Sequence, residues 1–343
     1  MTLALVGTTA RAQSPLRKEV ADIAKQVAAH VRENGEPAVA LAGFTGPEGG
    51  NGGPGLGKAF EDEFARLKLP IRAGSRFTLG GTFDAAKDRK EAVFVKLLLE
   101  LKDARDTAGR KFQGRALRDA ADVAVMVGAT ADLTKPNAEV LTLLTTAIEK
   151  PTAHISAERV AASDASPFAV EVWVKNPRTG EFAVRKPAAT GGQAFVDLKK
   201  DDVYAVRLVN KSDHEVAAYV TIDGIDLFAF SEAGEKAAAV IAPAGKEAMV
   251  RGWPIDAKRS DEFLVAEYGK TAAARLKASA AGVGVVTVRF APCWPEGSSP
   301  PPDETRSGGP LGTALGERID TPFRPVKRTT GAVRAVVSVR YTR

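Results

Sequence analysis

The 343-residue chain has few of the residues on which catalytic and metal-binding proteins most often depend. It contains one cysteine, Cys293, so no disulfide can form within it, and its three histidines are His30, His154 and His214. None of the histidines has a second histidine or cysteine at the spacing of a zinc site. Neither a G-x-S-x-G elbow nor an H-E-x-x-H motif is present. We therefore expect no metal and no cofactor, and we interpret Cys293 as a packed thiol.

Aromatic residues, long apolar runs and a strong charge imbalance are also scarce. Aromatics make up 6% of the chain, and 48 Lys and Arg against 42 Asp and Glu leave a formal charge of +6 with both signs interspersed. Nucleic-acid-binding proteins concentrate positive charge in a patch or an arm. A membrane-spanning helix needs about 18 consecutive apolar residues, which no segment reaches. We expect no nucleic-acid partner and no transmembrane segment.

The N-terminus carries the features of an export signal. Residues 3–10 form a short apolar run, and Ala10 and Ala12 occupy the −3 and −1 positions of an A-x-A cleavage site. The basic start of a signal peptide is missing, and the sequence leaves open whether the true start lies upstream of Met1. Residues 1–12 are therefore predicted to be the remnant of a signal peptide on a protein of the periplasm or cell surface. The alternative is an ordinary N-terminal segment.

The first half of the chain mixes helical and extended patterns. Three- and four-residue spacing of apolar residues predicts helices at 16–33, at 56–67 and in the segment that ends before Pro151. Apolar runs predict strands at 38–44, 76–83 and 92–101. We predict that residues 13–150 form a mixed α/β domain.

The second half reads almost entirely as strands separated by turn formers. The strand-like runs lie at 168–174, 203–209, 216–222, 246–251, 262–266, 283–290 and 332–341. This texture is typical of an antiparallel β-sandwich, which we place at 168–343. Residues 151–167 are predicted to be a linker between two independently stable domains. The fold class is therefore α+β, an N-terminal mixed α/β domain followed by an antiparallel β-sandwich.

A glycine-rich loop at 46–57 imitates a phosphate-binding loop. Gly52, Gly57 and Lys58 satisfy G-x-x-x-x-G-K between a strand and a helix. The next residue is Ala59, where the motif needs the hydroxyl that ligates Mg²⁺. We expect no nucleotide hydrolysis and interpret the glycines as a tight strand-to-helix connection.

Asp223 and Asp226 bracket Gly224 and are the strongest candidates for a cation site. Carboxylate oxygens are suitable calcium ligands, but two of them do not make a cage. An Asp-Gly pair is also typical of a hairpin turn. The sequence leaves a calcium ion at this position open.

The last predicted strand, Ala332–Tyr341, alternates in part. Arg334 and Arg340 share one parity, opposite an apolar set that includes Val337 and Val339. One interpretation is a sandwich strand with a solvated face. The other is a basic strip that binds anionic envelope polymers, extended by Arg324, Lys327, Arg328 and Arg343.

Two parts of the chain resemble known families. The strand Val39–Phe44, the loop ending in Gly53–Leu56, the following helix and the strands at 76–83 and 92–101 resemble the domain of curli-secretion and penicillin-binding-protein-activator lipoproteins. The resemblance implies an α/β fold and a non-enzymatic role in envelope assembly. It does not extend to a lipid anchor, because the chain lacks a lipobox cysteine near its start.

The second resemblance covers residues 203–343. Its carriers are Tyr204–Asn210, Val220–Gly224, Arg251–Trp253, Phe263 and Gly282–Gly284. They resemble an uncharacterised β-rich domain of bacterial exported proteins, and some planctomycete chains are similar in both halves. This resemblance implies an exported, β-rich protein without a known activity.

The leading hypothesis for function is a non-catalytic exported envelope protein that acts as a binding or assembly module. Its partners would be envelope proteins or anionic envelope polymers, and it could form a homo-oligomer. The alternative is an envelope hydrolase with a carboxylate-based site, which convergent buried carboxylates in a cleft would favour.

Overall fold

A computed structural model describes most of the chain and four α-helices within it. The described residues are 2–5, 15–46, 54–87, 93–116, 120–134, 137–232, 238–256, 258–267, 284–301, 304, 317–320 and 324–341. The helices are α1 (Pro15–Glu33), α2 (Pro54–Arg66), α3 (Ala120–Val127) and α4 (Asn137–Glu149).

Twenty-three strands accompany these helices in the described ranges. The first half holds β1 (Thr2–Leu5), β2 (Ala40–Thr45), β3 (Phe77–Lys87), β4 (Val93–Asp103), β5 (Asp106–Ala116) and β6 (Ala131–Asp132). Then follow β7 (His154–Ser156), β8 (Arg159–Ala161), β9 (Phe168–Lys175), β10 (Phe182–Arg185), β11 (Ala188–Thr190), β12 (Gln193–Phe195), β13 (Val203–Asn210), β14 (Val216–Ile222), β15 (Ile225–Asp226) and β16 (Ala238–Ala242). The last are β17 (Glu247–Val250), β18 (Gly252–Pro254), β19 (Arg259–Leu264), β20 (Val285–Pro295), β21 (Glu317–Asp320), β22 (Arg324–Thr330) and β23 (Ala335–Arg340). The predicted α+β class is confirmed.

The first unit is a four-stranded sheet in the order β2-β3-β4-β5, with helices packed on it. Strands β2 and β3 run parallel, and the other neighbours are antiparallel. Helix α1 buries Val20, Val27 and Val31 against this unit because apolar residues recur on one face. Helix α2 adds Phe60 and Phe64 to the same core.

The glycine-rich segment owes one glycine to helix packing. A Cβ at Gly55 would lie 2.6 Å from the Cα of Met126 and the carbonyl oxygen of Val125, so only glycine lets α2 approach the backbone of α3 this closely. At Gly57 the nearest atom to such a Cβ is in the Phe44 ring, 3.9 Å away. The two glycines of α2 therefore differ in what they permit.

The second unit is a two-sheet sandwich, as the strand pattern predicted. One sheet has ten strands and the other nine. Alternate residues of β9, β13, β14 and β20 meet between the sheets, among them Val172, Leu208, Val220 and Val288. Because successive side chains of a strand point to opposite faces, the other set of residues is available for separate contacts.

Five strands of the ten-stranded sheet close on themselves. The pairs are β14–β20, β20–β22, β22–β1, β1–β16 and β16–β14, which we call the five-strand ring. On the side of these strands that faces away from the sandwich core lies a third apolar cluster, formed by Ala217, Tyr219, Ala239, Ile241, Ala291 and Cys293. The predicted signal-peptide segment 1–12 thus contributes β1 to the ring, and its residues 1 and 6–12 lie outside the described ranges.

Helix α3 joins the two units. Its residues from Asp122 to Val127 are all buried, and it contacts α2 on one side and β20 and β23 on the other. The Arg289 guanidinium on β20 donates from Nη1 to Asp122 Oδ1 at 3.4 Å, with both side chains 2% exposed. Arg17 of α1 lies 3.6 Å from the same carboxylate. Three elements therefore converge on one buried carboxylate.

Strand pairing also crosses between the units. Strand β6 pairs with Ala335 and Val336 of β23, and Val336 belongs to the core of the first unit. The predicted linker 151–167 is wrong as a linker, because it contains β7 and β8, which continue the nine-stranded sheet from β9. Val160 of β8 faces the sandwich core, so the segment is packed as part of the sheet.

The two glycines of α2 give a matched pair of substitutions. We expect Gly55→Ala to lower the free energy of unfolding by about 1–3 kcal/mol, since the added methyl forces α2 and α3 apart. We expect Gly57→Ala to be neutral or to raise it by up to about 1 kcal/mol through helix propensity. Urea unfolding measures both, and equal losses for the two variants would contradict the packing argument.

The burial of α3 between the two units predicts that they unfold together, whereas the sequence predicts two independent domains. We expect Asp122→Asn to cost about 3–5 kcal/mol because it leaves the Arg289 guanidinium buried without its closest counter-charge. All three tryptophans lie in the sandwich, so fluorescence follows the sandwich, while far-ultraviolet circular dichroism follows the helices. Both transitions should shift equally.

The control is Asp62→Asn, which breaks the exposed pair with Lys58 on α2 and should cost less than about 1 kcal/mol. A shift in the dichroism transition alone would show that the sandwich is stable independently of α3.

Candidate functional site

The outer face of the nine-stranded sheet carries an open groove. In β9 the valines Val170, Val172 and Val174 face the sandwich core, so Glu171 and Trp173 face outward. Glu171 stands directly opposite Arg207 of β13 in the antiparallel register. Arg159 of β8 reaches the same place from the neighbouring strand. Strand alternation alone thus collects charged residues on this face.

Four of these side chains form a closed ring of alternating charge, which we call the ion-pair ring. Arg159 Nε donates to Glu171 Oε1 at 2.8 Å, and Arg207 Nη1 lies 3.3 Å from Glu171 Oε2. Glu247 of β17 completes the ring, with Arg159 Nη2 at 3.1 Å from its Oε1 and with a direct contact to Arg207. Each charge has two opposite neighbours, which fixes long side chains in a defined arrangement.

Trp173 borders this ring and is held by it. Its indole Nε1–H donates to Glu171 Oε2 at 2.9 Å. The Arg207 guanidinium lies over the indole with its carbon 5.0 Å from the ring centroid. The indole is half-buried. A ligand can therefore contact its exposed part without a rearrangement of the side chain.

The groove has a volume of about 500 Å³ and a balanced lining. Its charged side chains are three cations and three carboxylates, namely Glu158, Arg159, Asp164, Glu171, Arg207 and Lys211. A lining of both signs favours a partner that also carries both signs over a polyanion. This is the candidate functional site.

Sequence reasoning did not find this site. The four members of the ion-pair ring come from four strands and lie far apart in the chain, so no local motif marks them. The one available signal was Glu171, a charge in the middle of an otherwise apolar strand.

The residues that resemble a phosphate-binding loop make structural contacts where they are described. Gly52 lies outside the described residues. The Lys58 ammonium contacts the Asp62 carboxylate one turn further along α2, and Ala59 is buried in the core of the first unit. The two described residues of the motif that bear side chains therefore have structural contacts.

The histidines lie on separate elements. His30 on α1 packs edge-on against Phe77, with ring centroids 5.3 Å apart. His154 on β7 lies 3.0 Å from Asp164, and His214 lies 2.9 Å from the exposed Asp213. The structure does not bring them together.

Cys293 lies in the third apolar cluster and is 2% exposed. Burial raises the pKa of its thiol to about 12. The thiol is therefore protonated near neutral pH and does not supply the thiolate that a nucleophile requires.

Asp223 and Asp226 sit at a turn but face different partners. Asp223 and Gly224 have φ values of 57° and 72°, as in the hairpin turn that an Asp-Gly pair favours. The Tyr341 hydroxyl lies 2.8 Å from each carboxylate oxygen of Asp223. The Asp226 carboxylate accepts from the backbone N–H of Phe228 at 2.8 Å.

Burial changes the titration of both carboxyl groups. It raises the pKa of Asp223 to about 6, against hydrogen bonds from Tyr341 and from the backbone of Gly284 that lower it. It raises the pKa of Asp226 to about 8, although Arg289 opposes the shift. The two carboxylates face different partners, so this geometry does not favour the calcium interpretation. Across the described ranges, no group of three or more His, Cys, Asp or Glu side chains is placed to hold a metal.

The predicted basic strip on the last strand is wrong. Arg334 and Arg340 are each 8% exposed, and all residues of β23 are buried. Arg334 pairs with Glu304 at 3.1 Å, and Arg328 pairs with Glu215 at 2.7 Å. The face expected to be solvated is covered because α3 and β6 pack on it.

The remaining members of that strip are Arg324, Lys327 and Arg343, near the end of the sequence. The structure describes strand β22 at Arg324 and Lys327 without their side-chain exposure, and Arg343 lies outside the described residues. Burial lowers the pKa of Arg340 to about 10. The ion-pair ring therefore replaces the strip as the candidate binding surface.

None of the helices in the described part of the chain combines the length and the hydropathy of a membrane span. No family model, curated protein or solved structure matches the chain. Function is therefore argued from the site alone.

The buried carboxyl of Asp226 predicts a pH dependence of stability. Its folded-state pKa of about 8 lies above the ordinary value of 3.8, so the folded state binds the proton more tightly. The stability contribution is fully present below pH 4 and is lost as the pH rises towards 8, with a slope of up to about 1.4 kcal/mol per pH unit. Asp226→Asn should remove this slope, because the amide still accepts from Phe228 and does not ionise.

Urea unfolding between pH 5 and pH 8 measures the effect. The control is Asp256→Asn, since Arg259 lowers the pKa of Asp256 to about 2 and that carboxyl stays ionised throughout the range. An identical slope in Asp226→Asn and the wild type would contradict the assignment.

Proposed function

We propose that the protein is an exported, non-catalytic module of the cell envelope that binds a protein partner in the outer-face groove. The observation that carries the proposal is the ion-pair ring beside Trp173. It presents fixed charges of both signs and an aromatic surface on one sheet face. Aromatic and arginine side chains are the residues that most often dominate protein–protein binding energy.

The balance of charge supports a protein partner over an anionic envelope polymer. The polymer hypothesis depended on exposed arginines of the last strand, and Arg334 and Arg340 are buried. The groove itself carries equal numbers of cations and carboxylates. A peptide with acidic and basic side chains can pair with both.

The contacts of Glu171 do not support the hydrolase alternative. Glu171 is the buried carboxylate of the groove, and its oxygen atoms are engaged by Arg159, Arg207 and the indole of Trp173. A general acid or base needs an oxygen that is free to exchange a proton with a substrate. Asp223 and Asp226 have raised pKa values. They lie at the β14–β15 turn, outside the groove, where Asp223 accepts hydrogen bonds from Tyr341 and Gly284 and Asp226 accepts one from Phe228.

Site-specific photo-crosslinking in cells tests the groove. A photoreactive residue at Lys211, exposed at the groove, should form a crosslink to one or a few envelope proteins. The same residue at Arg178, exposed in the β9–β10 hairpin, should not. Trp173→Ala should reduce the Lys211 crosslink about tenfold or more.

The matched control for the aromatic residue is Trp294→Ala, a half-buried tryptophan outside the groove, which should leave the crosslink unchanged. Equal crosslinking from Lys211 and Arg178 would refute the groove. Cell fractionation after expression with the natural upstream sequence tests location, and a full-length, uncleaved chain in the cytosol would refute export.

A further inference from the structure

The five-strand ring contains a position that is filled from the far end of the chain. Strand β1 pairs antiparallel with Ala238–Ile241 of β16 and parallel with Arg324–Lys327 of β22. Strand β16 pairs with β14 only through Val240–Ala242, which lie opposite Val216–Ala218. Strand β22 pairs with β20 only over Arg328–Thr330. We call the gap between β16 and β22 the acceptor slot.

The walls of the acceptor slot keep their own neighbours without β1. The pairing of β14 with β20 runs over seven residue pairs and holds the two sides of the ring together. Removing β1 therefore opens the ring at one place and leaves β16 and β22 each with an edge of unpaired backbone groups. Such edges are sites for strand addition.

One wall has the sequence of an edge strand. Pro325 of β22 lies opposite Leu3 of β1 in the parallel register. Proline has no backbone N–H and is confined in sheets to edges, strand starts and bulges. Along Arg324–Lys327 the described pairing of β22 is with β1, and its pairing with β20 covers Arg328–Thr330, so the proline suits a strand segment with an open edge.

The ring carries a cluster of buried apolar side chains on the side that faces away from the sandwich core. Its members are Ala217, Tyr219, Ala239, Ile241, Ala291 and Cys293. An entering strand with apolar residues at alternate positions would extend this cluster.

The covalent link to β1 crosses the predicted export cleavage site. Hydrolysis between Ala12 and Gln13 by a signal peptidase adds water across that amide, which leaves a carboxylate on Ala12 and an amine on Gln13. The released piece would then hold the ring only through the four residues of β1. A strand of that length has too few contacts to offset the entropy of binding once it is separate.

We propose that the acceptor slot is a strand-binding site, opened by removal of residues 1–12 and filled in the processed protein by an extended apolar segment of a partner protein. This inference rests on the proposed export. A second copy is the less suitable donor, because every processed copy has lost the same strand. The donor runs parallel to β22 and lacks proline at the paired positions.

The experiment uses the full chain with a site-specific protease sequence placed between Leu5 and Pro15, so it does not depend on export. The probe is a dye-labelled synthetic peptide of residues 1–7. After cutting and removal of the released piece, the peptide should bind the cut protein at least tenfold more tightly than the uncut protein. A peptide with Leu3→Pro, which removes a backbone donor in the middle of the strand, should not bind.

A disulfide provides the matched control for the slot. Ala4 and Ala239 are register partners, so Ala4→Cys with Ala239→Cys should lock β1 in place when oxidised. The cut and oxidised protein should not bind the peptide, and reduction of the disulfide should restore binding. If cutting unfolds the protein, recovery of the folded dichroism signal on adding the peptide supports the proposal.

Three results would overturn it. They are no binding to the cut and folded protein, equal binding to the locked and reduced forms, and unfolding that the peptide does not reverse. Failure of the fractionation experiment would refute export and leave the slot measurement valid. Dimers formed by the cut protein alone would assign the slot to a second copy and refute the partner protein.

Discussion

The architecture depends on the burial of helix α3 between two cores. One buried carboxylate, Asp122, faces Arg289 of the sandwich and Arg17 of the first helix. Burying ions is costly unless they are paired, so this arrangement is stable only when all three elements are in place. Tyr219 lies under the Arg289 guanidinium, with 5.2 Å between the guanidinium carbon and the ring centroid, which supplies a further favourable contact. The two units are therefore parts of one structure.

This burial covers the outer face of one sheet of the sandwich and leaves the outer face of the other open at the groove. The ten-stranded sheet has the α/β unit against its outer face at β20 and β23. The nine-stranded sheet has no such cover over its outer face at Trp173, among the residues that the structure describes. The groove lies there, held by the ion-pair ring, while the arginines of the other sheet are used internally. The contacts between the two units and the proposed binding groove thus lie on opposite faces of the sandwich.

Three of the four described helices, many of the longer strands and the α+β class were predictable, because apolar periodicity reports which residues must be buried. Helix α3 was not, since Val123–Val127 is a continuous apolar run without helical spacing. The same periodicity does not report what covers a face, so the alternation of Arg334, Val336 and Arg340 was read as a solvated strip. The interpretation of 151–167 as a linker failed for a related reason. Short strands such as β7 and β8 carry too few residues for a pattern. The ion-pair ring joins residues from 159 to 247, a separation that no local motif spans.

The order of the ring has a consequence for biosynthesis. Strand β1 is made before its neighbours, which begin at Ala238 and Arg324, so its pairs have very large sequence separation and form late. Translation proceeds from the N-terminus at a finite rate, and earlier segments wait for later ones. The residues of β1 thus have no sheet to join until Ala238 and Arg324 have been made. Throughout that interval they remain accessible to the factors that meet a chain as it leaves the ribosome.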